Sequence, residues 1–243
     1  MSKAVDIYGA SVRGPRNRRE GRANQDAWAR SSGPFGDLVA VCDGMGSRPA
    51  ADVGARAACE AVKKAVRLWP GSAASADPTH LVRLVETLWR LELSPRTASE
   101  CASTCAFALR EPDGHVLIVG LGDGLAVVRR ADGDLLTLGG RSSESFCDET
   151  LALGTPHRID DWWIATEPPS SGRTLVLATD GVADDIDPTQ LAGFVDWLAN
   201  DIGRIAPAAR WRRLQQELRD WPVPHHVDDK TIAVLREAAG GQP

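Results

Sequence analysis

The chain contains no stretch approaching the roughly 18 uninterrupted apolar residues of a membrane-spanning helix. Its start, MSKAVDIYGAS, lacks the apolar core of a secretory leader. A cytoplasmic protein with no membrane partner is therefore expected. There is no Cys-x-x-Cys pair. The five cysteines (Cys42, Cys59, Cys101, Cys105 and Cys147) are odd in number and lie in apolar surroundings, which argues against a disulfide framework or a zinc site and for reduced core thiols. Positive charge is scarce as well: the formal net charge is −5, the opposite of a nucleic-acid-binding domain. No composition shift, internal repeat or low-complexity tract divides the 243 residues, so residues 1–243 read as one domain.

Asp-Gly, in contrast, occurs five times, at Asp43, Asp113, Asp123, Asp132 and Asp180. Asp and Gly both tolerate the positive φ of a tight hairpin turn. Asp113-Gly114 and Asp132-Gly133 have polar neighbours between strand-like runs and are predicted as hairpin tips. The other three end apolar runs: DLVAVCD (37–43), HVLIVGLGD (115–123) and RTLVLATD (173–180).

Periodicity supplies the remaining elements. Apolar or small residues at Val53, Ala57, Ala61, Val62, Ala65, Val66 and Trp69 predict a helix over 49–69, with Ser47 as cap and Pro49 in the first turn. PGSAASADP (70–78) is predicted as a loop and 79–93 as an amphipathic helix. Strands are expected within 101–110, 115–122, 125–130 and 134–139, linked as a β-meander. GRSSESFCDET (140–150) reads as a surface loop, followed by strands in 160–167 and 173–180. Helices are expected around 191–202, from the spacing of Leu191, Phe194, Val195, Leu198 and Ile202, and over 207–219. KTIAVLRE (230–237) is the closing strand, and AAGGQP a frayed tail. This order suggests stacked sheets with helices outside. The eight tryptophans, without basic residues interleaved, are read as structural.

A carboxylate at the end of a buried strand is costly unless a positive charge sits beside it, and several together are typical of hard-cation sites. Asp43, Asp123 and Asp180 are such residues. Asp26 in NQDAW and Asp228-Asp229 before the last strand join them. Oxygen-only ligands favour magnesium or manganese over zinc; His225 and His226 read as exposed or supporting groups. Five arginines (Arg13, Arg16, Arg18, Arg19 and Arg22) crowd residues 13–22, where guanidinium groups suit a phosphate. A metal beside an arginine loop points to phosphate chemistry.

Taken in order, GPRNRREGRANQDAW, VCDGMGS with DVGARAA, STCAFA, VGLGDG, LVLATDGVADD and DDKTIAV resemble the metal-dependent serine/threonine protein phosphatases of type 2C, in particular their compact bacterial branch, over residues 7–236. The resemblance implies an α+β fold, a four-layer αββα sandwich of two antiparallel sheets flanked by helices. It implies hydrolysis of phosphoserine or phosphothreonine in protein substrates by a water activated between two Mn2+ or Mg2+ ions, in opposition to a bacterial serine/threonine kinase. By position, Asp43 resembles the carboxylate bridging both metals, Gly44 the carbonyl ligand, and Asp180 and Asp228 the remaining ligands of the first metal. Asp123 and Asp184 resemble a weaker third-metal pair, and Asp26 the residue contacting metal-bound water.

The sequence departs from the family pattern at several points. Gln25 stands where many relatives have Glu, and Asp229 where Asn is usual. Gly21 occupies the place of the phosphate-binding arginine, leaving Arg22, Arg19 and Arg18 as alternatives. Met45 replaces a histidine proposed as general acid, and Ser103-Thr104-Cys105 replaces Gly-Thr-Thr. These departures motivate an alternative reading, a catalytically weak relative that binds phosphoproteins.

Overall fold

The computed structural model describes residues 5–69, 77–140, 150–223 and 226–238. In chain order the regular elements are β1 (Val5–Val12), α1 (Pro15–Arg19), β2 (Asp26–Gly33), β3 (Gly36–Asp43), α2 (Ala51–Leu68), α3 (Thr79–Glu92), β4 (Cys105–Arg110), β5 (Val116–Leu121), β6 (Leu125–Arg129), β7 (Leu135–Gly139), β8 (Trp163–Glu167), β9 (Thr174–Ala178), α4 (Asp180–Ala183), α5 (Leu191–Trp197), α6 (Pro207–Arg219) and β10 (Lys230–Glu237). Two antiparallel five-stranded sheets result. One has the order β1-β10-β9-β6-β7, the other β2-β3-β4-β5-β8.

The central strands are buried on both faces, so they read as nearly continuous apolar runs. Along β3, Leu38, Ala40 and Cys42 pack beneath α2 and α3, whereas Val39 and Val41 face the other sheet. Along β9 and β10, Leu175, Leu177, Ala233 and Leu235 fill the gap between the sheets, while Val176, Ile232 and Val234 pack with Leu198, Leu214 and Leu218 from the second helical layer. The strand period of two thus builds three apolar layers between four layers of backbone, the αββα sandwich expected from the sequence.

The hairpin assignments agree with the structure. Gly114 and Gly133 have φ of +97° and +101°, and Asp113 and Asp132 accept the backbone N–H two residues on. The meander does not. β4 pairs with β5 and β6 with β7, but β5 continues to β8 and β6 to β9 in the opposite sheet. The chain crosses between sheets at Gly122-Asp123-Gly124, which brings Asp123 to one end of the inter-sheet gap. Three further differences concern local elements. The long helix starts at Ala51 with no side-chain cap, residues 198–202 form a π-helical turn, and Ala98–Cys101 form a 3-10 turn before β4. β1, β2 and the short α1 within the arginine segment add to the elements read from sequence. Cys42, Cys59, Cys101 and Cys105 are free and buried. Cys147, His225, loop residues 70–76, most of the 140–150 segment and the end of the tail lie outside the described residues.

Candidate metal centre

At one end of the sandwich the filling between the sheets changes from apolar to polar. Asp26 and Asp43 face each other across the β2–β3 register, and Asp43 lies two residues beyond Val41, on the strand face that points to the other sheet. From that sheet Thr179 Oγ1 donates to Asp26 Oδ2 at 2.8 Å and accepts from Thr231 N–H at 3.1 Å; Thr231 Oγ1 in turn lies 2.7 Å from Ser11 Oγ. Thr104 fixes β3 from the side, its Oγ1 accepting from Asp43 N–H at 3.0 Å and its own N–H donating to the Asp43 carbonyl at 2.8 Å. Two threonines, absent from the sequence-based list, therefore hold the two aspartates.

The cleft at this end has room for about 170 Å³. Asp43, Asp123, Asp180 and Asp228 all line it, together with Gly44. Asp180 opens α4 directly after β9. Asp228 precedes β10, and its Oδ1 accepts the N–H of Asp229. The two segments approach so closely that a Cβ on Gly181 would lie 1.8 Å from the Asp229 carbonyl oxygen. Asp123 enters from the sheet crossing and accepts from Thr150 Oγ1 at 3.1 Å. Asp184 stands apart. It is exposed one turn after Asp180, outside the cleft lining, where its charge adds to the field on Asp180.

The arginine segment closes the cleft from the other side. Arg16 and Arg22 line it; Arg19 and Arg18 are exposed on α1 and do not. Arg22 Nη1 donates to the Gly46 carbonyl at 3.1 Å, Arg22 Nε lies 3.1 Å from Glu20, and Arg16 Nη1 is 3.9 Å from Asp228. The loop is anchored by Asp229, which is 2 % exposed. Its Oδ1 accepts from Gly14 N–H at 2.6 Å, and its Oδ2 from Asn17 Nδ2 at 2.8 Å and Gln25 N–H at 2.6 Å. Asn17 also reaches Gln25 Oε1 at 3.1 Å. The sequence offers Arg16 only as one of five clustered arginines, and it carries no signal for Asn17.

Electrostatics test whether these residues suit a cation. Burial pushes Asp26 up to about 7, against the lowering effect of hydrogen bonds from Asp43, Thr231 and Thr179. Burial, then the charges of Asp123 and Asp228, raises Asp180 to about 6. Asp43 is pushed well above the usual carboxylate range by burial and by the negative fields of Asp26 and Asp180. Among the described residues no lysine or arginine pairs with Asp43 or Asp180, and Asp180 Oδ1 is buried without a hydrogen-bond partner. A converging set of oxygen donors with uncompensated charge and an orphaned acceptor fits a hard divalent cation.

The family profile of protein phosphatase 2C matches residues 13–221. The chain belongs to that family. No curated protein matches it. Among solved structures, the catalytic domain of the serine/threonine phosphatase PstP in complex with two manganese ions is 18% identical, with a TM-score of 0.66 covering 96% of this chain and 98% of that one. PppA, described as a key regulatory component of T6SS in Pseudomonas aeruginosa, is 18% identical, with a TM-score of 0.66 over 97% and 99%. RsbX in complex with magnesium is 14% identical, with a TM-score of 0.62 over 96% of both chains. At these identities the likeness establishes the protein phosphatase 2C fold. Among the described residues, no helix of this family member is long and apolar enough to cross a membrane.

Proposed function

We propose that the protein is an active phosphoprotein phosphatase that hydrolyses phosphoserine and phosphothreonine in phosphorylated proteins, in opposition to a serine/threonine kinase in the cytoplasm. The observation that carries this reading is the convergence of Asp43, Asp180 and Asp228, buried or half-buried without adequate positive charge, on a cleft whose opposite wall presents Arg16 and Arg22. Two Mn2+ or Mg2+ ions bound by these carboxylates and the Gly44 carbonyl, with a weaker third ion at Asp123 and Asp184, would neutralise charge and lower the pKa of a water.

The protein's own groups do the rest. Arg22 and Arg16 neutralise the phosphate's oxygens, and direct attack by water on phosphorus would need no covalent enzyme intermediate. Asp26, fixed by Thr179 and facing Asp43 across the strand pair, orients the carboxylate beside it and offers an acceptor for a water proton. Met45, which lines the cleft, carries no proton, so the leaving seryl or threonyl oxygen is protonated from water or from another acid.

The test is hydrolysis of para-nitrophenyl phosphate and a phosphothreonine peptide with Mn2+ or Mg2+. Turnover should be abolished by chelation and by Asp43→Asn. Activity indifferent to both treatments would overturn the metal-dependent reading, and peptide binding without turnover at saturating Mn2+ would favour a non-catalytic module.

A further inference from the structure

The arginine segment carries more positive charge than one phosphate needs. Residues 13–22 hold five arginines against a single acid, Glu20, in a chain of net charge −5. Two of the five, Arg16 and Arg22, face the cleft. Arg13 is spent on the loop itself, its Nη1 donating to the Arg22 carbonyl at 2.9 Å. Arg18 and Arg19 remain, both exposed, and neither has a carboxylate within ion-pair distance among the described residues. An unpaired pair of guanidinium groups this close to a phosphate cleft is a feature the proposed reaction does not use.

Their placement is fixed. α1 is five residues long, so it spans only about 7 Å. Its inward residue, Asn17, is tied to the buried Asp229. Arg16 and Arg19 are three apart and neighbours on the helix surface, so the exposed Arg19 stands beside a cleft-lining arginine, with Arg18 on the same turn. An extended peptide advances about 3.3 Å per residue. A side chain two or three positions from a phosphorylated residue seated in the cleft would therefore lie within reach of these two groups. Because the loop is held by hydrogen bonds to Asp229, little backbone freedom is lost when they engage.

We propose that Arg19, assisted by Arg18, forms a second anion-binding subsite that selects substrates with acidic or additionally phosphorylated residues two or three positions from the scissile phosphate. The proposal rests on the phosphatase reading and deepens it by naming a substrate class: phosphorylated segments with anionic flanks. Carboxylate and phosphate are one chemistry here, and the peptides below separate them.

The experiment measures KM and kcat for matched phosphothreonine peptides with acidic, neutral or basic flanks, and for a doubly phosphorylated one, with Mn2+ at about 50 and 300 mM salt. Exposed ion pairs are individually weak and screened, so the acidic and doubly phosphorylated peptides should show KM about three- to ten-fold below the neutral one at low salt, with similar kcat. That advantage should shrink at high salt and fall towards one in the Arg18→Ala/Arg19→Ala protein. Equal KM for acidic and neutral flanks, or a preference that survives the double substitution, overturns the subsite. If neither para-nitrophenyl phosphate nor any peptide is hydrolysed, the phosphatase reading fails. Fluorescence anisotropy with the same labelled peptides then tests the subsite alone: tighter binding of acidic flanks, lost in the double variant, supports it, and indifference overturns it.

Discussion

Replacing Asp229 by alanine should affect the site more than its position outside the cleft suggests. The carboxylate is almost fully buried and receives three hydrogen bonds, from Gly14 N–H, Asn17 Nδ2 and Gln25 N–H. Asn17 would keep its contact with Gln25 Oε1, so the two backbone donors bear the main loss. Each donor left unsatisfied in the interior costs about 1–3 kcal/mol. Part of this would be recovered by the loop opening to water, so a net loss of about 2–4 kcal/mol is expected. At about 2–4 °C per kcal/mol for a domain of this size, Tm measured by differential scanning fluorimetry in EDTA should fall by about 4–16 °C. Asp229→Asn keeps one acceptor oxygen and should fall less. The functional signature separates a positioning role from a merely structural one. Loosening α1 displaces Arg16 and Arg22, so KM for a phosphothreonine peptide should rise by an order of magnitude or more, with partial recovery in Asp229→Asn. An alanine variant with lowered Tm but unchanged KM and kcat would refute the idea that this carboxylate sets the arginine wall.

Two further outcomes concern the carboxylates and the packing. Asp26 and Asp180 are held near 7 and 6 in the folded protein and near 3.9 when unfolded; the metal-free fold therefore binds more protons than the unfolded chain, and its stability is lost as pH rises from about 4 to about 7. Thermal melts in EDTA should show Tm falling across that window and the gain from Mn2+ growing across it; a gain independent of pH would contradict the assignment. Gly54→Ala would place a Cβ 1.7 Å from the Cys101 carbonyl oxygen, where α2 meets the 3-10 turn and Trp89 Nε1 donates to the Gly54 carbonyl, and should cost 3 kcal/mol or more, as roughly the upper range of overpacking. Gly193→Ala on α5, with open space around it, should leave Tm unchanged or slightly raised, so equal effects of the two alanines on Tm would rule out the packing argument.

The elements legible in the sequence were those whose apolar pattern is strong and local. α3, α6 and β10 stand within a residue of the ranges read from periodicity. β2 was not read because the residues it turns towards α2, Ala27 and Ala29, are small; close helix packing selects small side chains and erases the hydrophobic alternation. The sheet crossing at 122–124 looks like a hairpin because glycine and aspartate serve both purposes, and only pairing with β8 and β9, tens of residues away, distinguishes them. α1 is too short for a helical period, and its anchor lies 212 residues on, at Asp229. Among the site residues, the strand-end signal selected Asp43, Asp123 and Asp180, which the fold gathers at one cleft with Asp228 from the acidic pair ahead of the last strand. Position alone suggested Arg19 and Asp184, which stand outside the cleft lining. Arg16 and Asn17 became distinguishable only once α1 gave the loop an inside and an outside.

The pairing of Asp26 with Asp43 shows why the stability and the proposed activity of this fold are linked. Like charges directly opposite on neighbouring antiparallel strands are destabilising, and burial makes the repulsion stronger. Sequence optimised for the metal-free fold alone would place a threonine or an apolar residue at one of the two positions, as the pairs Trp28–Val41, Val39–Ala108 and Ala233–Leu177 deeper in the sandwich do. Both aspartates instead sit at the cleft end of the sandwich, where Thr179 Oγ1 donates to the Asp26 carboxylate and Thr104 bonds the Asp43 backbone. The Thr179 hydrogen bond fixes one Asp26 oxygen without neutralising it, and the orphaned Asp180 Oδ1 adds a further unmet acceptor. A cation binding here relieves a cost already built into the fold, so its affinity includes that relief. Asp43→Asn should for this reason stabilise the protein in EDTA while removing its stabilisation by Mn2+; the same substitution making the metal-free protein less stable would mean that the Asp43 carboxylate serves the architecture rather than a cation.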